Sequence, residues 1–224
     1  MNKKEIAAEK AVEKIRNGMI VGLGTGTTAY YAIRKIGELC KGGLEIVGVP
    51  TSLDTERLAR EFGILIRSID EVEGIDLTID GADEVDPEMR LIKGLGGALL
   101  REKIVAYASR EEIIIVDDSK LVNTLGTRSP LPVEVVPFGH KMTRERLEKL
   151  GCTAKLRGNN TPFITDNGHY IYDCYFGKIE NAEEMEKRLN SIPGVVENGL
   201  FIDLATQVIV GTDHGVIVKK RTQA

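Results

Sequence analysis

Hydrophobic residues in the first half of the chain follow two patterns that alternate with each other. Short apolar runs predict buried strands, and longer segments with apolar residues on one face predict helices. The predicted strands cover 19–24, 44–50, 64–69, 75–80 and 112–118, and the predicted helices cover 3–17, 27–40, 51–63 and 96–109. Short apolar strands that alternate with helices indicate a parallel sheet covered on both faces.

The pattern changes near Pro130, beyond which helices alternate with hairpin-like strands. The segment 163–176 predicts a β-hairpin around Asn167-Gly168, because Asn-Gly is the strongest short-range hairpin dipeptide. A strand-like run at 131–138 and helices at 143–151 and 181–192 complete this region. The strands within 199–218 are expected to rejoin the first sheet.

These two patterns predict an α/β fold in two parts. Residues 1–126 and 200–224 are expected to form a Rossmann-like domain, with a mostly parallel sheet and helices on both faces. Residues 127–199 are expected to form a small α+β subdomain of the ferredoxin-like type.

Composition and charge limit the classes of protein to which the chain can belong. The 224 residues are 42% hydrophobic and 29% charged, which suits a globular chain with a sizeable core. A formal net charge of −4 without a Lys/Arg run lacks the electrostatic footprint of a nucleic-acid binder. No apolar stretch resembles a signal peptide or approaches the roughly eighteen residues of a membrane span. We expect a cytoplasmic protein that binds small molecules or itself, but neither nucleic acid nor membrane.

Cysteine and histidine spacing gives no sign of a metal site. Cys40, Cys152 and Cys174 are odd in number and include no CxxC pair, which disfavours a disulfide framework or a zinc site. We expect them to be packing residues. The three histidines are isolated, and no GxSxG or HExxH pattern of a hydrolase is present.

A glycine- and threonine-rich segment, VGLGTGTTA at 21–29, lies between a predicted strand and a predicted helix. Glycines let the backbone approach a ligand, and the helix N-terminus can bind an anion together with the hydroxyls of Thr25, Thr27 and Thr28. The glycine spacing does not match G-x-G-x-x-G, and the loop lacks the lysine of a P-loop. The segment therefore predicts phosphate or carboxylate binding; the alternative is a tight turn with threonine as a helix cap.

Six carboxylates lie in IDLTIDGADEVDPE at 75–88. A calcium loop starting at Asp76 would need an acid at position 12, where Pro87 stands. Asp80 and Asp83 instead follow a predicted strand, at the edge where open α/β sheets bind ligands. There they can accept hydrogen bonds from sugar hydroxyls and relay protons. Three other acids of this segment are expected to be solvated: Asp76, Asp86 and Glu88.

A third segment, LIKGLGGALLREKI at 91–104, places Lys93 before a glycine loop and a helix. A lysine beside glycine amides is a plausible clamp for an oxyanion. Glu102 is expected about a turn and a half into the helix, where partial burial would raise its pKa toward that of a general base. The alternative for REK is an exposed charged face. Lys120, after a further strand, pairs with a phosphate or lies in a surface turn.

The ordered motifs GLGTGTTA, DGADEVD, IKGLGGALLREK, DDSKLV, LPVEVVPF and TDNGHYIYD together resemble ribose-5-phosphate isomerase of the A type. The resemblance runs from about residue 19 to the C-terminus. It implies interconversion of ribose 5-phosphate and ribulose 5-phosphate in the pentose phosphate pathway, with no metal and no cofactor. It also implies a homodimer or a dimer of dimers, with the small subdomain at the interface.

The same resemblance implies roles for particular residues. Glu102 matches the catalytic base, and Asp80, Asp83 and Lys93 match residues around the sugar. The substrate-binding positions are Thr25, Gly26, Thr27, Thr28, Asp80, Gly81, Ala82, Asp83, Lys93, Gly94, Leu95, Gly96 and Lys120. The departures from the family pattern are mild: Thr27 stands where many members carry Ser, and Leu95 and Leu100 stand where some carry Gly and Thr.

The chemistry of the reaction fits these residue types. One carboxylate above C1 and C2 can move the proton between them, and Lys93 can stabilise the enediolate. Asp83, or else Asp80, would pass the proton that opens the sugar ring. The alternatives are another sugar-phosphate isomerase, an amino-sugar phosphate deaminase, or a non-catalytic sugar-phosphate sensor. A sensor would need a DNA-binding segment, for which we expect no room or basic charge at either terminus.

Overall fold

A computed structural model describes residues 2–221 of the chain. Its helices are α1 Lys3–Val12, α2 Thr27–Lys41, α3 Leu53–Glu61, α4 Leu99–Tyr107, α5 His140–Glu148 and α6 Ala182–Asn190. Its strands are β1 Ile20–Leu23, β2 Val47–Pro50, β3 Ile75–Asp80, β4 Glu84–Val85, β5 Leu91–Ile92, β6 Ser109–Asp117, β7 Leu131–Val135, β8 Thr153–Leu156, β9 Tyr170–Tyr175, β10 Val195–Asn198, β11 Leu200–Phe201, β12 Gln207–Thr212 and β13 Gly215–Lys220. Short 3₁₀ turns cover Ile69–Glu71 and Asp118–Lys120. The chain divides into two compact units.

The first unit contains the residues up to Ala82, the segment Arg101–Lys120 and the residues from Asp203 onward. Within the described residues its sheet has six strands in the order β13-β12-β6-β3-β1-β2. β13 runs antiparallel to β12, and the other neighbouring strands are parallel. The predicted α/β fold with a mostly parallel sheet is confirmed. Of the strands expected within 199–218 to rejoin that sheet, β12 and β13 do so, whereas β11 pairs with β5 in the second unit.

Helices cover both faces of this sheet. On one face α1, α2 and α3 bury apolar residues, such as Ile33 and Ile36 of α2, against the strands. On the other face Val105 of α4 lies against Val49 and Ile75. Gly22 of β1 allows this close approach, because a Cβ atom there would lie 2.9 Å from Val105 Cγ1. Each fully buried aliphatic side chain stabilises the fold by roughly 1.5–3 kcal/mol.

Capping signals in the sequence explain the ends of α3. The Ser52 hydroxyl accepts the Thr55 N–H at 3.0 Å and begins the helix. Gly63, with φ of +84°, takes the left-handed conformation that ends helices. α1 is shorter than predicted, because i→i−3 hydrogen bonds from Lys14 and Ile15 tighten the chain after Val12.

The second unit contains Asp83–Leu100 and Leu121–Ile202. Its larger sheet is antiparallel, in the order β10-β7-β9-β8, and its smaller sheet has the order β11-β5-β4. α5 connects β7 to β8, and α6 connects β9 to β10. The resulting element order, strand-helix-strand-strand-helix-strand, is that of the ferredoxin-like arrangement. The core includes Val133, Leu147 and Leu189.

The observed division differs from the predicted boundaries at 126/127 and 199/200. Residues 83–100 group with the second unit because β5 pairs with both β4 and β11. An isolated bridge between Val85 and Leu121 also lies within this unit. These short pairings have no apolar run long enough to reveal them in the sequence.

Two predicted strands are wrong. Residues 64–69 form a single bridge from Ile66 to Gly48, because Ser68 caps the following 3₁₀ turn and ends the extended segment. The predicted hairpin at 163–176 has only its second strand, β9, which pairs with β8 instead. Asn167-Gly168 still forms a tight turn, with the Gly168 N–H donating to Thr165 O at 2.9 Å. Among the described residues, no helix has the length and apolar character that crossing a membrane requires.

Candidate active site

The predicted site residues lie on both units. In the first unit Glu102 lies on α4, and the other predicted residues follow the carboxyl ends of the adjacent parallel strands β1, β3 and β6, the edge where such sheets bind ligands. Residues 24–28, here called the first glycine loop, follow β1. In the second unit Asp83 and residues 93–97, here called the second glycine loop, carry the remaining positions.

Asp80 ends β3 and is fully buried. Its Oδ1 atom accepts the N–H groups of Thr25, at 3.1 Å, and Gly81, at 2.7 Å. Gly24 lies directly against this carboxylate, since a Cβ atom on Gly24 would overlap Asp80. Asp80 therefore anchors the first glycine loop through its backbone.

A buried cluster of hydroxyl groups lies behind the same loop. The Thr25 Oγ1 atom lies 2.8 Å from Thr51 Oγ1, 2.9 Å from Ser52 Oγ and 3.1 Å from Thr55 Oγ1. Thr55 also donates its hydroxyl to Gly24 O at 2.9 Å. The Thr25 hydroxyl thus points into the protein, which differs from the expectation that it would bind an anion. The Gly24–Thr25 peptide is held at its carbonyl by Thr55 and, through the Thr25 N–H, by Asp80.

The other end of the first glycine loop can bind an anion. Gly26, with φ of +106°, precedes α2, and no described side chain caps the helix N-terminus. Lys4 donates to Thr27 Oγ1 at 2.8 Å and adds a positive charge beside this terminus. Helix N-termini and cations both favour bound anions. No sequence motif pointed to Lys4, because it lies on α1, far along the chain from the loop.

The placement of Lys4 depends on its neighbour in α1. Lys3 forms ion pairs with Asp118, at 3.1 Å, and Asp213, at 2.8 Å. The Lys3 carbonyl also lies against Gly211 of β12, where a Cβ atom would overlap it. These contacts fix the first turn of α1 against the sheet edge, from which Lys4 reaches Thr27.

Lys120 lies at the end of the 3₁₀ turn after β6 and is partly buried. Burial alone would raise the pKa of the neighbouring Asp117. Hydrogen bonds from Ser119 and the positive charges of Lys4 and Lys120 outweigh that effect and hold the pKa of Asp117 below its ordinary value. Both lysines therefore act electrostatically on one carboxylate, and the first unit gathers positive charge at this edge.

Glu102 lies on α4 with 5% of its surface exposed. The alternative interpretation of REK as an exposed charged face therefore fails for this residue. Its predicted place a turn and a half into the helix is also wrong, since it belongs to the first turn. The helix begins late because Gly94 and Gly97 have positive φ values and form a turn, with the Gly97 N–H donating to Gly94 O. A carboxylate in the first turn is favoured by the helix dipole.

Lys93 follows β5 in the second unit and is 2% exposed. Its N–H donates to Gly199 O at 2.9 Å, which continues the pairing of β5 with β11. The Nζ atom lies 5.4 Å from the centre of the Phe201 ring, a cation–π distance. A positive charge is thus held in a largely water-excluded place, where its electrostatic effect is stronger than in water.

The second glycine loop is held by side chains of its own unit. The Leu95 N–H donates to Asp83 Oδ2 at 3.0 Å. Arg157 donates from Nη1 to Gly94 O at 3.0 Å and to Leu95 O at 3.1 Å. Gly94 has φ of +102°, and a Cβ atom there would lie 2.7 Å from Leu99 Cβ. Nothing in the sequence pattern singled out Arg157.

The three acids of segment 75–88 that were expected to be solvated have different environments. Asp86, expected to be solvated, is buried and lies 2.6 Å from Arg90 Nε, so that expectation is wrong. Glu88 is solvated as expected, with 69% of its side chain exposed. Asp76 is one-third exposed and accepts the Ile20 N–H at 2.9 Å.

Neither metal-ligand groups nor disulfides are present in the part of the chain that the structure describes. Over residues 2–221, no three His, Cys, Asp or Glu side chains group as a metal site would require. Cys40, Cys152 and Cys174 are free thiols. Cys152 and Cys174 are buried in the second core, and Cys40 packs against the first.

Comparison with known proteins identifies the family. Residues 47–215 match the family model described as ribose 5-phosphate isomerase A (phosphoriboisomerase A). The chain is 53% identical over 217 residues to ribose-5-phosphate isomerase A of Gloeobacter violaceus, covering 96% of this chain and 94% of that protein. A solved structure of D-ribose-5-phosphate isomerase in complex with phospho-erythronic acid is 46% identical, with a TM-score of 0.95 over 99% of this chain and 100% of that chain. Ribose 5-phosphate isomerase A from Methanocaldococcus jannaschii is 41% identical, with a TM-score of 0.93 over 98% of both chains. The chain therefore belongs to the ribose-5-phosphate isomerase A family.

Proposed function

We propose that this chain interconverts D-ribose 5-phosphate and D-ribulose 5-phosphate, with Glu102 as the base that moves the proton. The observation that carries the assignment of the base is the buried carboxylate of Glu102 in the first turn of α4. Membership of the ribose-5-phosphate isomerase A family supports the substrate pair. The same membership supports a place in the non-oxidative pentose phosphate pathway.

The proton transfer needs one carboxylate and one stabilising charge. Glu102 removes the proton from C2 of the open-chain aldehyde, and the electrons form a C1–C2 double bond with negative charge on O1. The enediolate then takes the same proton back at C1, while the proton of the O2 hydroxyl passes to O1, so that C2 becomes the ketone and O1 becomes a hydroxyl group. Lys93, a buried ammonium group, stabilises the charge that develops on these oxygens.

Ring opening comes before this step, because ribose 5-phosphate is mostly a furanose. The O1 hydroxyl loses a proton, the C1–O4 bond breaks and O4 gains a proton. We assign that proton transfer to Asp83. Asp80 accepts the backbone N–H groups of Thr25 and Gly81, which supports a role in holding the first glycine loop.

The phosphate group is assigned to the N-terminal end of α2. Thr27 and Thr28 supply backbone N–H groups there, and Lys4 supplies a positive charge near the Thr27 hydroxyl. Lys120 supplies a second positive charge at the same sheet edge. Lys4 is therefore added to the phosphate-binding residues that the family resemblance implies.

The test compares the wild type with Glu102→Gln, both in EDTA, by NMR of ribose 5-phosphate in D2O. The wild type should form ribulose 5-phosphate and incorporate deuterium next to the carbonyl. Glu102→Gln should lose both signals by about 10²–10⁴-fold, the usual contribution of a general base. It should still bind phospho-erythronic acid, whose carboxylate and phosphate resemble the two ends of the enediolate. Glu61→Gln, an exposed position in α3, serves as the control.

Other outcomes would point elsewhere. Near-normal rates in Glu102→Gln would show that another residue is the base. A wild type that binds sugar phosphates without turning them over would be a sensor. Turnover of six-carbon or amino-sugar phosphates in preference to ribose 5-phosphate would indicate one of the rival enzymes.

Self-association through the second unit is the further part of this proposal, as a homodimer or a dimer of dimers. Phe138 is 95% exposed and Met142 is 63% exposed, beside a cleft of about 740 Å³. Phe138 and Met142 line the same cleft, and contiguous exposed apolar surface marks protein contacts more often than scattered apolar residues do. Light scattering should report a lower mass for Phe138→Glu than for the wild type, and an unchanged mass would exclude this surface.

The cytoplasmic location stays a prediction, which cell fractionation would test.

A further inference from the structure

Arg157 holds the peptide between Gly94 and Leu95 in the second glycine loop. Its Nη1 atom donates to Gly94 O at 3.0 Å and to Leu95 O at 3.1 Å. On the opposite side of the same peptide, the Leu95 N–H donates to Asp83 Oδ2 at 3.0 Å. One peptide group therefore joins the guanidinium to the carboxylate.

The geometry of a trans peptide makes these two contacts dependent on each other. The peptide is planar, so its C=O and N–H groups point in opposite directions, and the described residues include no cis peptide. Holding the Gly94 carbonyl toward Arg157 therefore turns the Leu95 N–H away from Arg157 and toward Asp83. A cation on the carbonyl also polarises the peptide and strengthens its N–H as a donor.

Arg157 is itself held in place by two neighbours in the second unit. Its Nε atom lies 3.0 Å from Asp173 Oδ2, and Nη2 contacts the other carboxylate oxygen in a two-point ion pair. Phe163 lies under the guanidinium, 5.9 Å from the ring centre to Cζ. The Phe163 ring also packs against Gly97, where a Cβ atom would lie 2.5 Å from Phe163 Cζ. The guanidinium side chain is only 14% exposed.

We propose that Arg157 is a positioning residue for the isomerase reaction, which orients the Leu95 N–H and through it the carboxylate of Asp83. This inference rests on the proposed function, in which Asp83 carries the proton of ring opening. Arg157 is two bonding steps away from that carboxylate, so it acts through the Gly94–Leu95 peptide. The second contact of Arg157, to Leu95 O, lies on the next peptide, so the guanidinium holds two successive peptides of the second glycine loop.

The proposal predicts that ring opening and proton transfer between C1 and C2 respond differently to the loss of Arg157. Ribose 5-phosphate must open its ring, whereas ribulose 5-phosphate stays open because its O5 atom carries the phosphate. Proton exchange between solvent and C1 of ribulose 5-phosphate needs Glu102 but no ring opening. A defect in Asp83 positioning should therefore lower ribose 5-phosphate turnover while exchange into ribulose 5-phosphate persists.

The experiment measures both rates for Arg157→Met and Arg157→Lys by NMR in D2O. Arg157→Met should lower the turnover of ribose 5-phosphate by about 10- to 100-fold, the usual effect of a small misplacement of a reacting group. The ratio of exchange to turnover should rise by the same factor. Arg157→Lys keeps the charge but loses the planar fork, so its ratio should lie between those of the wild type and Arg157→Met. Arg144→Met, an exposed arginine in α5 paired with Glu148, is the matched control.

Asp173→Asn gives a second route to the same answer, because it weakens the ion pair that holds Arg157. If Arg157→Met does not fold, as judged by circular dichroism, Arg157→Lys and Asp173→Asn decide the question by the same ratio. Turnover and exchange that fall together, or a ratio unchanged in all variants, would overturn the proposal. Failure of the proposed function is distinct, since the wild type would then lack turnover, or Glu102→Gln would keep exchange.

Discussion

The two glycine loops hold a peptide in the same way but use different chemistry. In the first loop the Gly24 carbonyl accepts the Thr55 hydroxyl, and the Thr25 N–H donates to Asp80. In the second loop the Gly94 carbonyl accepts Arg157, and the Leu95 N–H donates to Asp83. Each loop therefore fixes one peptide between a side-chain donor and an aspartate.

The difference between the loops follows the burial of the donor side chains that hold them. Thr55 is 4% exposed and belongs to a cluster of neutral hydroxyls, where a second buried charge would cost several kcal/mol. Arg157 lies nearer to solvent and has Asp173 as a counter-charge. The comparison teaches that a loop can be held by a neutral donor where the donor is buried, and by a cation where the donor is nearer to solvent and paired with a carboxylate.

Of the substitutions in the two loops, Gly24→Ala should have the largest effect, because it disrupts the backbone of the first glycine loop. Its Cβ would lie 2.6 Å from Asp80 Cα, which is backbone and cannot move alone. We expect a loss of about 1–3 kcal/mol in the free energy of unfolding and a loss of activity of at least about 100-fold. Urea denaturation and steady-state kinetics measure the two effects. Gly74→Ala, with nothing within 4 Å of its Cβ, is the control, and equal behaviour of both variants would contradict the close contact.

Thr55→Val should weaken the first loop by removing its neutral donor. Val keeps the shape but leaves the buried Gly24 carbonyl without the hydroxyl bond, at a cost of about 1–3 kcal/mol in unfolding free energy. Thr55→Ser should keep most of that stability. By contrast, Arg157→Met in the second loop should change turnover more than stability. Equal stability losses in Thr55→Val and Arg157→Met would remove the distinction between the two loops.

Lys4→Met should affect ligand binding at the first loop without changing the proton transfer. Losing one charge-assisted hydrogen bond, worth about 1.5 kcal/mol, should raise KM for the sugar phosphate about tenfold with kcat little changed. Lys10→Met, on the exposed side of α1 and paired with Glu13, is the control. A lower kcat with an unchanged KM would place Lys4 away from the phosphate.

The smallest expected effect is on the titration of Asp117. Its pKa in the folded protein lies below the ordinary value of 3.8, so its stabilising contribution is complete above that value and is lost as the pH falls through the lower folded pKa. Lys4→Met removes one of the charges that lower the pKa, so the pKa should move back toward the ordinary value. NMR titration of the Asp117 carboxyl carbon measures this shift. An unchanged pKa in Lys4→Met would show that Lys4 has no electrostatic effect on Asp117.

Strong local patterns allowed much of the fold to be predicted. The apolar face of α2 and the alternating residues of β3 placed both elements within one residue of their observed ends. The segment 64–69 failed because its apolar residues indicate burial but not whether a neighbouring strand is available for pairing. Glu102 was recognised from its motif, but its turn in α4 depends on positive φ values at Gly94 and Gly97.

The supporting residues of the site were missed for a common physical reason. Arg157 lies 63 residues from Gly94, Thr55 lies 31 from Gly24, and Lys4 lies 23 from Thr27. No periodicity connects positions so far apart, because only the folded sheets bring them together. A single sequence therefore shows the loops that carry chemistry more readily than the side chains that hold them.

The hydrogen bonds that position the second glycine loop have a consequence for the evolution of this protein. The hydrogen bonds of Arg157 and Asp83 to Leu95 engage its main-chain atoms, and Leu95 is 40% exposed. Selection for the reaction thus constrains the shape of the backbone here more than the identity of the side chain. The same freedom makes position 95 a suitable place for a reporter dye, attached a few ångströms from the peptide that Arg157 orients.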